Sequence, residues 1–103
     1  MQLVQILLPY YNNEGNIFSN ELFTCVANEL KEKFGGVTIF SNSPATGLWK
    51  ENDETTSKDK IFIYEVMCDQ IEKEWWKSYK NKLEKIFQQE VIVIRTTQIE
   101  LIK

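Results

Sequence analysis

The chain has 103 residues, of which 43% are hydrophobic, 13% aromatic and 26% charged, and its formal net charge is −3. This length predicts one domain over residues 1–103, and high aromatic content with few Pro and Gly residues indicates a folded chain. The absence of histidine excludes Ser-His-Asp and Cys-His nucleophilic pairs and imidazole metal sites. An acidic chain with eleven lysines and one arginine, Arg95, is unlike proteins that bind phosphate backbones, so we expect no nucleic-acid partner.

Motifs for export, metals and nucleotides are missing as well. The apolar residues 1–8 follow no basic segment and end at Pro9, which is unlike a signal peptide or a membrane span. The two cysteines, Cys25 and Cys68, lie too far apart for a C-x-x-C motif, and the four glycines form no phosphate-binding loop. We therefore expect a cytoplasmic protein with no membrane partner, no cofactor and no metal.

In chain order, the N-terminal half predicts a strand, a connector and a helix. Residues 2–8 alternate in the manner of a strand, and residues 9–16 are rich in turn formers. A helix is expected to start at Ser19 or Asn20, whose side chains can accept a hydrogen bond from the first turn. Gly35 can end this helix because it adopts a left-handed conformation readily.

The C-terminal half adds three strands and a helix. Residues 43–60 are polar and contain early turn formers, which predicts a loop or an extended hairpin arm. The other predicted elements are strands at 37–42, 61–68 and 90–97 and a helix at 70–89, with 99–103 as a continuation or a short tail. The order β-α-β-β-α-β predicts an α+β, ferredoxin-like sandwich, with antiparallel sheet order 4-1-3-2 and both helices on one face.

Side-chain alternation divides the predicted sheet into two faces. One face is almost wholly apolar and is expected to lie under the helices: Val4, Ile6, Leu8, Val37, Ile39, Phe62, Tyr64, Val66, Cys68, Ile92 and Ile94. The opposite face, termed the open face, comprises Leu3, Gln5, Leu7, Thr38, Phe40, Ile61, Ile63, Glu65, Met67, Val91, Val93, Arg95 and Thr97. Eight of these thirteen residues are large and apolar, which predicts that a second copy covers the face in a homodimer. The 43–60 arm and a ligand are the alternative covers.

Three polar residues interrupt the open face. Gln5, Glu65 and Arg95 fall near the middle of three neighbouring strands, where they form a row with Glu65 and Arg95 about 10 Å apart. In a covered cavity, Glu65 could act as a general base on a small polar ligand while Arg95 binds an anion. The alternative interpretation is a polar network that satisfies itself between two sheets.

Tryptophans and carboxylates give further candidates, each with a structural alternative. Trp49 is a candidate lid or contact residue, or an anchor that fixes the long arm. The nearby Glu51, Asp53 and Glu54 lack the spacing of a calcium loop. In the second helix, Trp75 and Trp76 fall on the apolar stripe, which predicts core residues with at most one indole at the edge.

Several segments resemble an uncharacterised family of small bacterial proteins of about 100 residues. They are GLWKE at 47–51, YEVMCD at 64–69, EWWKSYKNKLEKIFQQE at 74–90 and VIVIRT at 91–96. The resemblance implies a ferredoxin-like, cytosolic bacterial protein and transfers no catalytic residue. More distantly, the architecture is similar to the dimeric α/β-barrel group, several enzymes of which rely on histidine.

Two functional hypotheses follow. The first is a small homodimeric binding or regulatory protein, with a small-molecule cavity or an interface on the open face. The alternative is a cofactor-free enzyme for proton transfer or oxygenase-like chemistry, with Glu65 as general base, Arg95 as anion ligand, and Tyr10 or Trp49 shaping the pocket. The residues expected to face the ligand or the interface are Gln5, Phe40, Trp49, Met67 and Val93.

Overall fold

The structure, a computed structural model, describes residues 1–50 and 56–103, without the side chains of residues 42–47, 49–50 and 56–59. Within these ranges the chain forms four strands and two helices. The elements are β1 (Gln2–Pro9), α1 (Asn20–Phe34), β2 (Thr38–Lys50), β3 (Thr56–Cys68), α2 (Lys73–Ile86) and β4 (Ile94–Gln98).

The four strands form one antiparallel sheet in the order β2-β3-β1-β4. Read from the other edge, this is the predicted order 4-1-3-2, so the ferredoxin-like α+β fold is confirmed. β1 occupies a central position, and its alternation of half-buried and buried residues is regular along its length. The register places Gln5 of β1 between Glu65 of β3 and Arg95 of β4.

Both helices pack on the same face of the sheet. The core joins alternate residues of β1 and β3 to the apolar stripes of α1 and α2: Val4, Ile6, Leu8, Phe23, Val26, Leu30, Tyr64, Val66, Trp76, Tyr79 and Leu83 are all buried. Of the residues predicted to face the helices, Ile39 is an exception, since 38% of it is exposed. It lies on the edge strand β2, whereas the buried strand residues of the core come from β1 and β3.

The ends of α1 match the prediction except for one hydrogen bond. Ser19 occupies the N-cap position in an extended conformation, but its side chain makes no capping hydrogen bond, so that predicted contact is wrong. At the other end Gly35 has φ 83° and donates its N–H to the carbonyl of Lys31 at 2.8 Å. This left-handed cap is the termination that Gly35 predicts.

Over the described residues 43–50 and 56–60, the polar segment forms the paired strands of an extended hairpin arm and not a loop. β2 and β3 stay paired from Ala45 opposite Ile61 out to Lys50 opposite Thr56. The register shifts between Phe40 and Ala45, where the arm leaves the body of the sheet. Of the two predicted alternatives for this segment, the arm is therefore correct over the described residues.

The last strand starts later than predicted. Residues 90–97 have the composition of a continuous strand, but β4 begins only at Ile94. Gln88, after α2, has a positive φ of 54°, and the N–H of Ile92 donates to Oε2 of Glu84 at 2.9 Å instead of to a strand. These two features hold the approach to β4 against α2, so Val91 lies outside the sheet and is 65% exposed.

An aromatic cluster joins the two helices. Phe34 of α1 stacks on Trp76 at a centroid distance of 5.4 Å, and Trp75 stacks on Tyr79 at 4.8 Å. Trp76 is buried, whereas Trp75 is half-buried and lies under the Lys33 ammonium, 4.9 Å from its ring centroid. One indole in the core and one at its edge is the predicted arrangement.

Candidate functional site: the open sheet face

The open face is the sheet surface opposite the helices, and its apolar residues other than Ile61 remain at least partly accessible. The register places Leu3 beside Met67, Leu7 beside Ile63, and Phe40 on the other side of Ile63. Phe40 is 46% exposed and Met67 is 49% exposed. Val93 precedes β4 but accepts a hydrogen bond from the N–H of Leu7 at 3.0 Å, so it extends the same surface.

A continuous polar row crosses the middle of this face. Nε2 of Gln5 donates to Oε1 of Glu65 at 2.6 Å, and Nε of Arg95 donates to Oε1 of Gln5 at 2.7 Å. The amide therefore bridges a carboxylate on one side and a guanidinium on the other. These contacts agree with the row that strand alternation predicts.

The row leaves hydrogen-bonding capacity at both of its ends. Arg95 uses Nε for Gln5, and a guanidinium carries two further Nη groups. Glu65 accepts the Gln5 amide with one oxygen and carries a second one. Among the side chains that the structure describes, neither Glu65 nor Arg95 forms a salt bridge. The row can therefore bind an anionic group at one end and a cationic group at the other.

The remaining predicted site residues divide into three groups. Phe40, Met67 and Val93 lie on the open face, as expected. Tyr10 does not shape a pocket there, because its ring packs at 4.9 Å against Phe62, which belongs to the helix-facing surface. The side chain of Trp49 and the residues Glu51, Asp53 and Glu54 lie outside the part of the chain that is described.

Ile61 departs from the expected exposure. It pairs with Pro9 and Ala45 where the arm begins, and only 7% of it is exposed, although it is absent from the main core. The open face is therefore already covered at that corner. Its accessible part is centred on the polar row.

A second concavity lies between the helices, and sequence analysis did not find it. It has a volume of about 550 Å³ and is lined by Glu29, Glu32, Lys33, Trp75, Ser78, Tyr79 and Lys82. Glu29 accepts a hydrogen bond from the Tyr79 hydroxyl at 3.4 Å and pairs with Lys82. Burial and then the Glu29 carboxylate raise the pKa of Tyr79, so its hydroxyl stays protonated. The Lys82–Glu29 pair joins two helices, so the spacing of residues within either helix could not predict it.

Another shallow depression follows the outer side of α1. Its volume is about 680 Å³, and its lining includes Thr24, Cys25 and Asn28. Cys25 is exposed, with its Sγ 3.9 Å from Oε1 of Glu29. Among the described side chains no buried polar group lacks a partner, either in these depressions or on the open face.

Residues 1–50 and 56–103 offer neither a metal centre nor a membrane-spanning helix. No group of three or more Cys, Asp or Glu residues there is placed to hold a metal ion. No helix in these ranges is long and apolar enough to cross a membrane.

Comparison with known proteins gives a likeness of fold. No protein-family model and no curated protein matches the chain. A phage SAM lyase in complex with S-methyl-5'-thioadenosine is similar in structure, with a TM-score of 0.62, 8% identity, and coverage of 94% of this chain and 80% of that chain. A phage SAM lyase in the apo state gives a TM-score of 0.58 at 10% identity and covers 93% of this chain and 78% of that one. At such low identity the likeness supports a small α+β fold and carries no residue role.

Proposed function

We propose that this protein is a small homodimeric binding protein, with the open face as its interface and the row of Gln5, Glu65 and Arg95 as its polar recognition element. The observation that supports it most is an apolar sheet surface crossed by one ordered row of a carboxylate, an amide and a guanidinium. Ligand sites commonly combine an apolar lining with a few fixed polar groups.

The distribution of charge supports an interface on this face. Eleven of the twelve basic residues are lysines, which keep exposed surfaces hydrated. The described open-face residues include no lysine, and their charged members are Glu65 and Arg95. A face intended for water normally carries more charge, whereas the centre of an interface is depleted of it.

The ligand is expected to be small and polar at both ends. Arg95 can bind a carboxylate or phosphate through its Nη groups, and Glu65 can accept an ammonium or another cation. Gln5 holds both side chains toward the middle of the sheet, so the two charged ends keep a fixed spacing. The apolar residues beside the row then bind the body of the ligand.

Native mass spectrometry of freshly purified protein tests this proposal, because one spectrum reports both the assembly and any retained small molecule. We expect a dimer with additional mass, and we expect Glu65→Gln and Arg95→Gln to lose that additional mass while remaining folded. Glu32→Gln is the matched control, since Glu32 is exposed on α1. If every preparation gives a dimer without additional mass, the proposed interface stands and the proposed ligand is contradicted.

The likeness to phage SAM lyases favours a second candidate, a cofactor-free enzyme that acts on S-adenosylmethionine or a related sulfonium compound. Such a substrate carries a sulfonium cation and an amino-acid carboxylate, which are complementary to Glu65 and Arg95. In this candidate Arg95 binds the carboxylate, and Glu65 acts as general base by removing a proton from the carbon β to the sulfonium. The C–S bond then breaks, S-methyl-5'-thioadenosine leaves with the bonding electron pair, and the four-carbon amino-acid fragment becomes an alkene.

Incubation with S-adenosylmethionine, followed by chromatography, separates the two candidates. The enzyme forms S-methyl-5'-thioadenosine, and Glu65→Gln abolishes turnover while calorimetry still detects binding. The binding protein forms none with either Glu65 or Gln at this position. Turnover that is unchanged in Glu65→Gln would remove Glu65 from the chemistry.

A further inference from the structure

The charge pattern of the polar row restricts how two open faces can meet. Across the sheet the row reads negative at Glu65, neutral at Gln5 and positive at Arg95, with Gln5 on the central strand of the three. If a second copy of this row is turned end to end and placed opposite the first, the negative end of each row faces the positive end of the other. The row is therefore able to recognise a second copy of the same chain.

Two copies that meet face to face are related by a twofold axis lying between the sheets. If that axis runs across the strands, Glu65 faces Glu65 and Arg95 faces Arg95, and both contacts are repulsive. If it runs along β1 above Gln5, each Glu65 faces the partner's Arg95. An axis displaced to the gap between β1 and β3 places Arg95 opposite Thr38 and Glu65 opposite Gln5, which pairs no charges.

We infer that the homodimer is built on a twofold axis that runs along β1 above Gln5, so that Glu65 of each copy pairs with Arg95 of the other. This inference rests on the proposed function and adds the arrangement of its interface. The site is incomplete without the second copy, because the guanidinium that pairs with each Glu65 carboxylate belongs to the other copy.

The apolar residues agree with the same arrangement. On the axis, Leu3 and Leu7 each meet their own copies, because both share the open face with Gln5. Beside the axis Ile63 meets Val93, since these two residues flank Leu7 on opposite sides. Apolar side chains therefore meet across the interface on one side of the charged row.

The reach and hydrogen-bonding capacity of the side chains also fit. Packed sheets lie about 10 Å apart, a gap that long side chains from both sheets fill. Arg95 retains its Nη groups after donating to Gln5, and Glu65 retains an oxygen after accepting from it. Because Arg95 has two Nη groups and each oxygen of Glu65 has two lone pairs, one Nη group can pair with the partner's Glu65 while the other stays available to a ligand. The bonds within each row are therefore compatible with the bonds between rows and with a bound ligand.

Charge reversal tests the inference through sedimentation velocity. Glu65→Arg places four positive groups across the interface, and Arg95→Glu places four negative ones, so each variant should self-associate at least about a hundredfold more weakly than wild type. Mixing the two variants should restore a dimer that contains one copy of each. The double variant Glu65→Arg/Arg95→Glu reverses the row and should again form a homodimer.

Controls separate the arrangement from the dimer itself. Glu32→Arg and Lys77→Glu change charge on exposed helix positions and should leave the wild-type mass unchanged. Circular dichroism confirms that each variant is folded, and Glu65→Gln and Arg95→Gln replace any that is not.

The outcomes distinguish this inference from the proposed function. Wild-type monomer would contradict the dimer itself. If the wild-type protein is a dimer and the charge-reversed variants still self-associate, the Glu65–Arg95 arrangement is overturned and the proposal of a dimer stands. Folded monomeric variants that fail to combine on mixing would also overturn it.

Discussion

Gln5 is the residue that organises the candidate site. Its amide donates to Glu65 and accepts from Arg95, so one side chain fixes the positions of both charges. A polar network of this kind contributes little net stability compared with apolar packing, because desolvation offsets the attraction. In the proposed dimer the network contributes specificity, because it favours one arrangement of the two sheet faces over others.

A second polar contact, at Glu84, gives a pH-dependent prediction. The pKa of Glu84 is lowered, first by the hydrogen bond from Lys80 at 2.6 Å and then by the N–H of Ile92 at 2.9 Å. A carboxyl group with a lowered folded-state pKa stabilises the fold above its unfolded pKa, about 4.3, and loses this contribution as pH falls through the folded pKa.

Glu84→Gln should therefore be less stable than wild type at neutral pH, and the difference should shrink below about pH 4. Urea denaturation of both proteins at a series of pH values measures it. Lys80→Met removes the larger cause and should show part of the same change. A difference between wild type and Glu84→Gln that stays constant down to about pH 3 would contradict the assignment.

At the scale of elements, the helices are joined through aromatic rings. The two adjacent tryptophans occupy unequal positions, since Trp76 is 7% exposed and Trp75 is half-buried under Lys33. Removing a buried large side chain loses its transfer free energy and leaves a cavity. At a site open to water, solvent fills the space that the side chain leaves, so the loss of stability is smaller. The pair therefore provides an internal comparison.

Trp76→Ala should lower the free energy of unfolding by about 3–5 kcal/mol, and Trp75→Ala by about 1–2 kcal/mol. Urea denaturation followed by far-ultraviolet circular dichroism measures both. The neighbouring exposed Lys77→Ala is the control, with an expected change within about 0.5 kcal/mol. Equal losses for the two tryptophans would show that Trp75 is as deeply packed as Trp76.

Strand alternation explains why the fold and the polar row could be predicted. In β1 the residues Val4, Ile6 and Leu8 are all fully buried, so parity alone assigns Gln5 to the other face. The central position of β1 follows from right-handed crossovers, and it brings Glu65 and Arg95 to either side of Gln5. Strand alternation and sheet topology were therefore sufficient to predict where Gln5, Glu65 and Arg95 lie.

Contacts distant in sequence explain what could not be predicted. The late start of β4 depends on two features. Glu84, a residue of α2, accepts a hydrogen bond from the N–H of Ile92, and the backbone of Gln88 has a left-handed conformation. Residues 90–93 alone have the composition of a strand. The groove between the helices depends on Glu29 meeting Tyr79 and Lys82 from the other helix. Neither contact has a periodic signal.

At the scale of the whole molecule, the fold buries one face of its sheet and leaves the other accessible. Phe40 and Met67 on the open face are each about half exposed. Completing the burial of such side chains contributes roughly 1 kcal/mol each, or about 4 kcal/mol over two copies, which is near the lower limit of the cost of association. In the proposed dimer this apolar gain only approaches the cost of association, and the charged row is proposed to select the arrangement of the two copies.

Sedimentation velocity of the wild-type protein at micromolar concentration tests the central claim most directly. We predict a particle of twice the 12.2 kDa chain mass. Met67→Glu, which places a charge on the open face, should reduce this mass to that of a single chain. A wild-type particle of one chain mass, with Phe40 and Met67 still accessible, would contradict the assignment of this face as an interface.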